Sequence, residues 1–168
     1  GATATGWIVQ AGVYYLTVAR RHFGADQAVL FEEDHFLALH CQVAGDGEIE
    51  IFSATQPMGT SLATTFAQLA VDVFGVPLER IRVAFGDTDR ATGFGSAGSR
   101  SLFVGGSAVH VASERTVKKA HELAAEELEA AVADIEYRDG VFSITGTDRA
   151  IGLFDLARIF GIGKDRAM

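Results

Sequence analysis

The sequence has little cysteine, little proline and no long hydrophobic run. Its 168 residues include one cysteine, Cys41, and two prolines. A single cysteine excludes an internal disulfide framework and favours a reducing compartment. No apolar run approaches the roughly 20 residues of a membrane-spanning helix, and no secretory signal is visible. These absences predict a globular cytoplasmic protein without a membrane span.

Basic residues are also in the minority. Lys and Arg total 14 against 22 Asp and Glu, and the formal net charge is −8. An acidic protein repels the phosphate backbone of nucleic acids and the anionic headgroups of membranes. We therefore expect neither of them as the main partner. Any bound anion must be held by backbone amides and by one or two basic side chains.

The composition is that of a folded domain. Hydrophobic residues make up 48% of the chain and charged residues 21%, a balance that supports a core within one domain over residues 1–168. The chain has no initiator Met, and Gly161–Met168 reads as an interruption. We therefore expect a segment of a larger protein.

Hydrophobic periodicity and turn residues predict an α+β fold, a two-layer α/β sandwich with a mixed sheet and β-hairpins. One predicted helix starts with Val104–Val109, whose residues are so small that another backbone or a ligand must lie close. The predicted elements are a hairpin over 37–51 with its turn at 46–47, a helix over 62–73, a strand over 81–85, a helix from 102 to about 132, a hairpin over 134–144 with its turn at 139–140, and a short helix over 153–160.

A glycine- and serine-rich loop, Gly86–Ser101, lies between a predicted strand and a predicted helix. Backbone N–H groups at a helix N-terminus are unpaired, and the helix dipole favours negative charge there, so such a loop suits phosphate. Arg100 in this loop can clamp a phosphate with two hydrogen bonds, although a surface arginine fits its spacing equally well. A second loop, Thr55–Ser61, occupies another strand-to-helix junction.

Other known site patterns do not fit the sequence. Gly93–Gly98 matches the Gly-x-Gly-x-x-Gly pattern of Rossmann folds, but its first glycine lies several residues beyond the strand. Asp87-Thr88-Asp89 has no His or Cys nearby in sequence, which favours a turn over a metal pair. The histidines lack metal-ligand spacing, and the Gly-x-Ser-x-Gly elbow of serine hydrolases is missing. We therefore expect a phosphate-holding loop in a different fold.

Several motifs occur together in the order and spacing of one known family. They are Gly86–Asp89, Gly98–Ser101 and Gly105–Ala108, accompanied by Ser53–Gln56, Gln68–Ala70, Phe74–Leu78 and Asp134–Phe142. With these motifs the chain resembles the molybdopterin-binding large subunit of the xanthine dehydrogenase, aldehyde oxidase and carbon monoxide dehydrogenase family. The resemblance is strongest over residues 49–158.

The resemblance implies a segment of the second molybdenum-cofactor-binding domain of a longer oxidoreductase subunit. Members of the family hydroxylate carbon centres, or oxidise carbon monoxide, and pass electrons through 2Fe–2S clusters to FAD. These groups often reside on separate subunits, which are the implied partners. Bacterial members commonly carry molybdopterin cytosine dinucleotide.

The same resemblance places the cofactor contacts in two loops. In the family the first loop reaches the molybdenum end of the cofactor, and the second loop contacts the pterin and its phosphates. The implied cofactor-binding residues are Gly59, Thr60, Ser61, Ser96, Ala97, Gly98, Ser99, Arg100 and Ser101.

The first of these loops departs from the family pattern. The family has Gly-Gln-Gly where this chain has Gly59-Thr60-Ser61; threonine is too short to replace the glutamine, and Ser61 adds a Cβ. The family's Gly-x-Gly-Glu segment, which supplies the active-site base, is not in the sequence, so we expect no catalytic residue, no metal ligand and no turnover from this polypeptide alone. Two hypotheses remain: a cofactor-binding segment, or a degenerate fragment serving assembly only. A Rossmann-type oxidoreductase is a weaker third.

Overall fold

A computed structural model describes residues 27–32, 35–87, 95–96, 98–99 and 101–160. Short 3₁₀ helices occupy Leu78–Arg80 and Val132–Asp134, and a π-helical turn occupies Ser101–Gly106. The strands are β1 (Gln27–Glu32), β2 (His35–Val43), β3 (Ile49–Ser53), β4 (Ile81–Phe85), β5 (Ile135–Arg138), β6 (Val141–Ile144) and β7 (Ala150–Gly152), and the α-helices are α1 (Leu62–Phe74), α2 (Ser107–Glu127) and α3 (Leu153–Ile159).

The first four strands form a mixed sheet in the order β1-β2-β3-β4. The pairs β1–β2 and β2–β3 are antiparallel, whereas β3 and β4 are parallel, with Ile51 opposite Val83. The predicted hairpin is the β2–β3 pair, and Gly47 of its turn has a φ of 94°, which glycine adopts at little cost. The predicted mixed sheet is confirmed, while β1 lies in a region without a readable period and was not predicted.

Helix α1 connects the parallel strands β3 and β4 and covers one face of the sheet. Its buried face includes Phe66, Ala70 and Phe74, which recur at helical spacing. The helix ends at Gly75 in the left-handed conformation with a φ of 62°, and the Gly75 N–H donates to the Val71 carbonyl at 2.8 Å. The predicted helix and its glycine stop are confirmed.

Helix α2 packs against α1 through small residues and ends earlier than predicted. The α-helical part runs from Ser107 to Glu127 and does not continue to Val132. Leu128 still donates to the Ala124 carbonyl, but Glu129 has a φ of 50° and turns the chain towards β5. Helix propensity alone predicted the longer helix, and the turn into the second sheet overrides it.

The second sheet is antiparallel and contains β5, β6 and β7 in that order. Its first hairpin turns at Asp139-Gly140, where both φ angles are positive, at 49° and 79°. That pattern is typical of a type I′ turn, and it confirms the predicted hairpin. Strand β7 has three residues and was not predicted, because so short a segment shows no period.

The two sheets and three α-helices share one hydrophobic core. It joins Ile49 and Ile51 of β3 to Phe142 of β6 and to Leu153 and Leu156 of α3. This arrangement of helices on a mixed and an antiparallel sheet is the predicted α+β class. Across the described ranges, none of the helices combines the length and apolar character needed to cross a bilayer.

Tyr137 ties the second sheet to the end of α1. Its hydroxyl donates to the Phe74 carbonyl at 2.7 Å. Burial, with a smaller contribution from the Asp139 carboxylate, raises the pKa of Tyr137 well above its ordinary value. The folded protein therefore holds the phenolic proton more tightly than the unfolded chain does, and this contribution to stability is lost as pH rises above about 10.

We expect Tyr137→Phe to lower the free energy of unfolding by about 1 kcal/mol at neutral pH, because one hydrogen bond to a helix-end carbonyl is lost. The variant should also lose less stability than the wild type above pH 10. Urea denaturation at both pH values measures the two effects. Identical stability of variant and wild type at neutral pH would contradict the structural role of this bond.

Candidate functional site

The two candidate loops leave the sheet at the same edge. Residues 54–61 follow β3 and lead into α1, and the loop from Gly86 follows β4 and leads into the π-helical turn. The last pair of the parallel ladder is Ser53 with Phe85. Ligands of sheets with parallel strands commonly bind beyond the carboxyl ends of the strands, so both loops stand where a ligand is expected.

A reciprocal hydrogen-bond pair joins the two loops. The Gln56 backbone N–H donates to the Ser96 hydroxyl oxygen at 2.9 Å, and the same hydroxyl donates to the Gln56 carbonyl at 3.0 Å. Gly95 is buried next to this pair, and a Cβ added there would lie 3.5 Å from the Gln56 side chain. We call the Gln56–Ser96 pair the clasp.

Thr55, beside the clasp, points into the protein. Its side chain is fully buried, and its hydroxyl lies 2.9 Å from that of Ser53. A Cβ added to Gly105 would lie 3.2 Å from the Thr55 methyl group and 2.8 Å from Cζ of Phe66. The expected close approach at Val104–Val109 is therefore made to side chains of the same protein and not to another backbone.

The first loop presents its backbone at the start of α1. Gly59 has a φ of 76°, and nothing within 4 Å would meet a Cβ added there. Ser61 precedes the helix in the left-handed conformation, with a φ of 55°, and its side chain makes no cap hydrogen bond. Gly59, Thr60 and Ser61 are all exposed, so the amides at this helix start are open to a ligand.

The second loop shows the same features where it is described. Gly95, Gly98 and Ser99 have φ angles of 85°, 61° and 56°, and the latter two residues are exposed. Ser101 is partly buried and begins the π-helical turn. The predicted site residues Ala97 and Arg100 lie outside the described residues.

The chemistry of these segments fits an anionic cofactor. Neither 54–61 nor 95–101 contains an acidic residue, although the whole chain carries a net charge of −8. Serine and threonine hydroxyls and backbone amides are donors that suit phosphate. Positive φ angles at Gly59 and Gly98, with open space beside both, leave the backbone accessible to a ligand.

Sequence reasoning missed the roles of Thr55 and Gln56. Both residues stand in the Ser53–Gln56 motif that supported the family resemblance, but nothing in their spacing indicated a contact with Ser96 or Gly105. The contact with Ser96 joins residues 40 positions apart, whereas hydrophobic periodicity reports only on residues close together in sequence. The run of small residues around Gly105 was the one available signal, since it indicated a close neighbour.

Known proteins resemble this chain in sequence. A family model described as molybdopterin cofactor-binding domain matches residues 11–164. The chain is 32% identical, over 69% of its length, to subunit gamma of the 6-hydroxypseudooxynicotine dehydrogenase complex of Paenarthrobacter nicotinovorans. It is 36% identical, over 64% of its length, to the carbon monoxide dehydrogenase large chain of Hydrogenophaga pseudoflava.

A solved structure, the Cu,Mo-CO dehydrogenase in its carbon monoxide reduced state, shares the fold. The TM-score is 0.64, with 30% sequence identity over 70% of this chain. The chain spans only 15% of the length of that protein and 15% of each of the two relatives. The similarity therefore concerns one portion of much longer proteins.

We expect Gly105→Ala to lower the free energy of unfolding by about 1–3 kcal/mol, because the added methyl group overlaps the Phe66 ring and crowds Thr55. Chemical denaturation measures the loss. The double variant Gly105→Ala with Phe66→Leu removes the ring atom that the new methyl group would overlap. The two substitutions together should therefore lower the free energy of unfolding by less than the sum of their separate effects. Strictly additive losses in the free energy of unfolding would show that the Phe66 ring is not the group that excludes a Cβ at position 105.

Proposed function

The chain belongs to the molybdopterin cofactor-binding domain family, and from this membership we propose that it is a cofactor-binding segment of a molybdenum hydroxylase large subunit. The observation that carries the proposal is the clasped pair of loops at the carboxyl ends of β3 and β4. Their exposed amides and hydroxyls over 54–61 and 95–101, two stretches that contain no acidic residue, form a surface for a phosphate-bearing ligand.

Each loop has its own part in the proposal. Gly59, Thr60 and Ser61 approach the molybdenum end of the cofactor, with the first turn of α1 behind them. Gly98, Ser99 and Ser101 offer amides and hydroxyls to the pterin and its phosphates, and the backbone at Ser96 and Ala97 completes this part of the surface. Arg100 supplies positive charge and forms hydrogen bonds to phosphate oxygens.

The cofactor, when bound, supplies the molybdenum centre for substrate oxidation. The chain's own residues bind the cofactor and orient it; the general base comes from a segment that the sequence does not contain. The cofactor form that we propose is molybdopterin cytosine dinucleotide. The relatives' names describe a complex subunit and a large chain, which supports the existence of partner subunits. We propose that these partners carry 2Fe–2S clusters and FAD, and that the assembly is cytoplasmic.

The test uses the complete subunit, produced together with the cofactor maturation machinery. We expect Arg100→Ala combined with Ser99→Ala to weaken cofactor retention roughly 10- to 100-fold, because charge-assisted hydrogen bonds to phosphate are lost. Molybdenum and pterin content per subunit provide the measurement. Arg149→Ala with Thr145→Ala, two exposed residues of the turn between β6 and β7, is the matched control. Unchanged molybdenum and pterin content in the first variant would contradict the proposal.

A second candidate function is a degenerate segment that supports assembly without a cofactor. The observation that favours it is Ser61, whose φ of 55° is costly for a residue with a Cβ and is adopted readily by glycine. Serine occupies a position where the family has glycine, next to a threonine where the family has glutamine. Loss of selection for cofactor binding would produce such substitutions.

Restoring the family pattern separates the two candidates. In a functional segment, Thr60→Gln with Ser61→Gly should raise molybdenum content per subunit, because the longer amide adds a hydrogen bond and the glycine relieves the backbone. Ser61→Gly alone should also stabilise the fold by about 0.5–1 kcal/mol in chemical denaturation. Stabilisation without any gain in molybdenum would favour the degenerate candidate.

A further inference from the structure

We infer that Ser96 is a positioning residue, which holds the second loop in a set place relative to the first through the clasp. The inference rests on the proposed function, because it concerns the same cofactor surface. It changes the role of one residue: Ser96 acts on the cofactor through Gln56 and the first loop, and not as a ligand of the phosphates.

The hydroxyl of Ser96 is already engaged inside the protein. A serine hydroxyl has one proton to donate, and that of Ser96 is donated to the Gln56 carbonyl at 3.0 Å. One of its two acceptor positions takes the Gln56 N–H at 2.9 Å. With the clasp closed, Ser96 has no side-chain proton left for a phosphate oxygen.

The clasp extends the sheet past its last strand pair. Parallel pairing of β3 with β4 ends at Ser53 and Phe85, three residues before Gln56. Both backbone polar groups of Gln56 are then satisfied by one side chain from a distant loop, as a neighbouring strand would satisfy them. The second loop is therefore attached to the end of β3 although its own strand, β4, has already ended.

The π-helical turn that follows the second loop is held by Thr55, the residue adjacent to Gln56. Thr55 is buried, and its methyl group would lie 3.2 Å from a Cβ on Gly105. Ser96 and Gly105 are thus both placed against the dipeptide Thr55-Gln56. The exposed residues Gly98 and Ser99 lie between these two attachment points.

The same dipeptide also leads into the first loop. Gly59 follows Gln56 by three residues, so a shift of Gln56 displaces both the first loop and Ser96 of the second. Two sets of amides that must contact the same cofactor need a defined separation, since small displacements weaken several contacts at once. The clasp supplies that separation.

The experiment compares four variants of the complete subunit, produced with and without cofactor maturation. Ser96→Ala removes the hydroxyl, and Ser96→Thr keeps it. Ser96→Val has the shape of the threonine without the hydroxyl. Thr147→Ala is the matched control. The Thr147 hydroxyl, in the turn between β6 and β7, also donates to a carbonyl, that of Ile144, and accepts a backbone N–H, that of Arg149.

Two rates are measured: amide hydrogen exchange in peptides covering 54–61 and 95–101 of the cofactor-free protein, and release of molybdopterin from the loaded protein. We expect Ser96→Ala and Ser96→Val to accelerate both rates about tenfold, because two hydrogen bonds to one backbone unit are lost. Ser96→Thr and Thr147→Ala should leave both rates within about twofold of the wild type.

The outcomes separate this inference from the proposed function. Unchanged exchange and release in Ser96→Ala and Ser96→Val would overturn the positioning role and leave the proposed function standing. Faster release with unchanged exchange would make Ser96 a direct ligand and would also overturn it. A wild-type subunit that carries no molybdopterin after maturation would overturn the proposed function and this inference with it.

Discussion

The parallel pairing of β3 with β4 is the constraint on which the rest of the structure depends. Parallel neighbours cannot be joined by a tight turn, so the chain needs α1 as a crossover, and α1 covers the sheet with Phe66 and Phe74. The same pairing brings the ends of both strands to one edge. Two loops that are far apart in sequence therefore start side by side, before any contact between them forms.

Small residues then decide how closely the loops and helices approach. Gly105 and Gly106 sit against side chains of α1, where added Cβ atoms would lie 2.8 Å from Phe66 and 3.0 Å from Leu69. Helix α2 continues this pattern with alanines on its buried face. Close packing at the start of α2 fixes the end of the second loop, so core packing and the shape of the proposed cofactor surface are coupled.

Local patterns predicted most of the elements. Apolar alternation with Asp-Gly turns identified both hairpins, and helical spacing closed by Gly75 identified α1, because each of these signals lies within a few residues. The end of α2 was predicted too late, since Ala and Glu favour helix beyond Glu127 and only the second sheet requires the turn. The π-helical turn and β7 have no recognisable pattern in the sequence, because both depend on the tertiary contacts around them.

The sequence by itself determined the family, the α+β class and the two loops of the proposed cofactor surface, because motifs and turn residues are local and keep their spacing. Only the tertiary structure decided how those loops relate. The Gln56–Ser96 contact joins residues 40 positions apart, and the left-handed backbone of Ser61 is set by the entry into α1. Neither follows from periodicity, since each depends on which segments the folded core brings together.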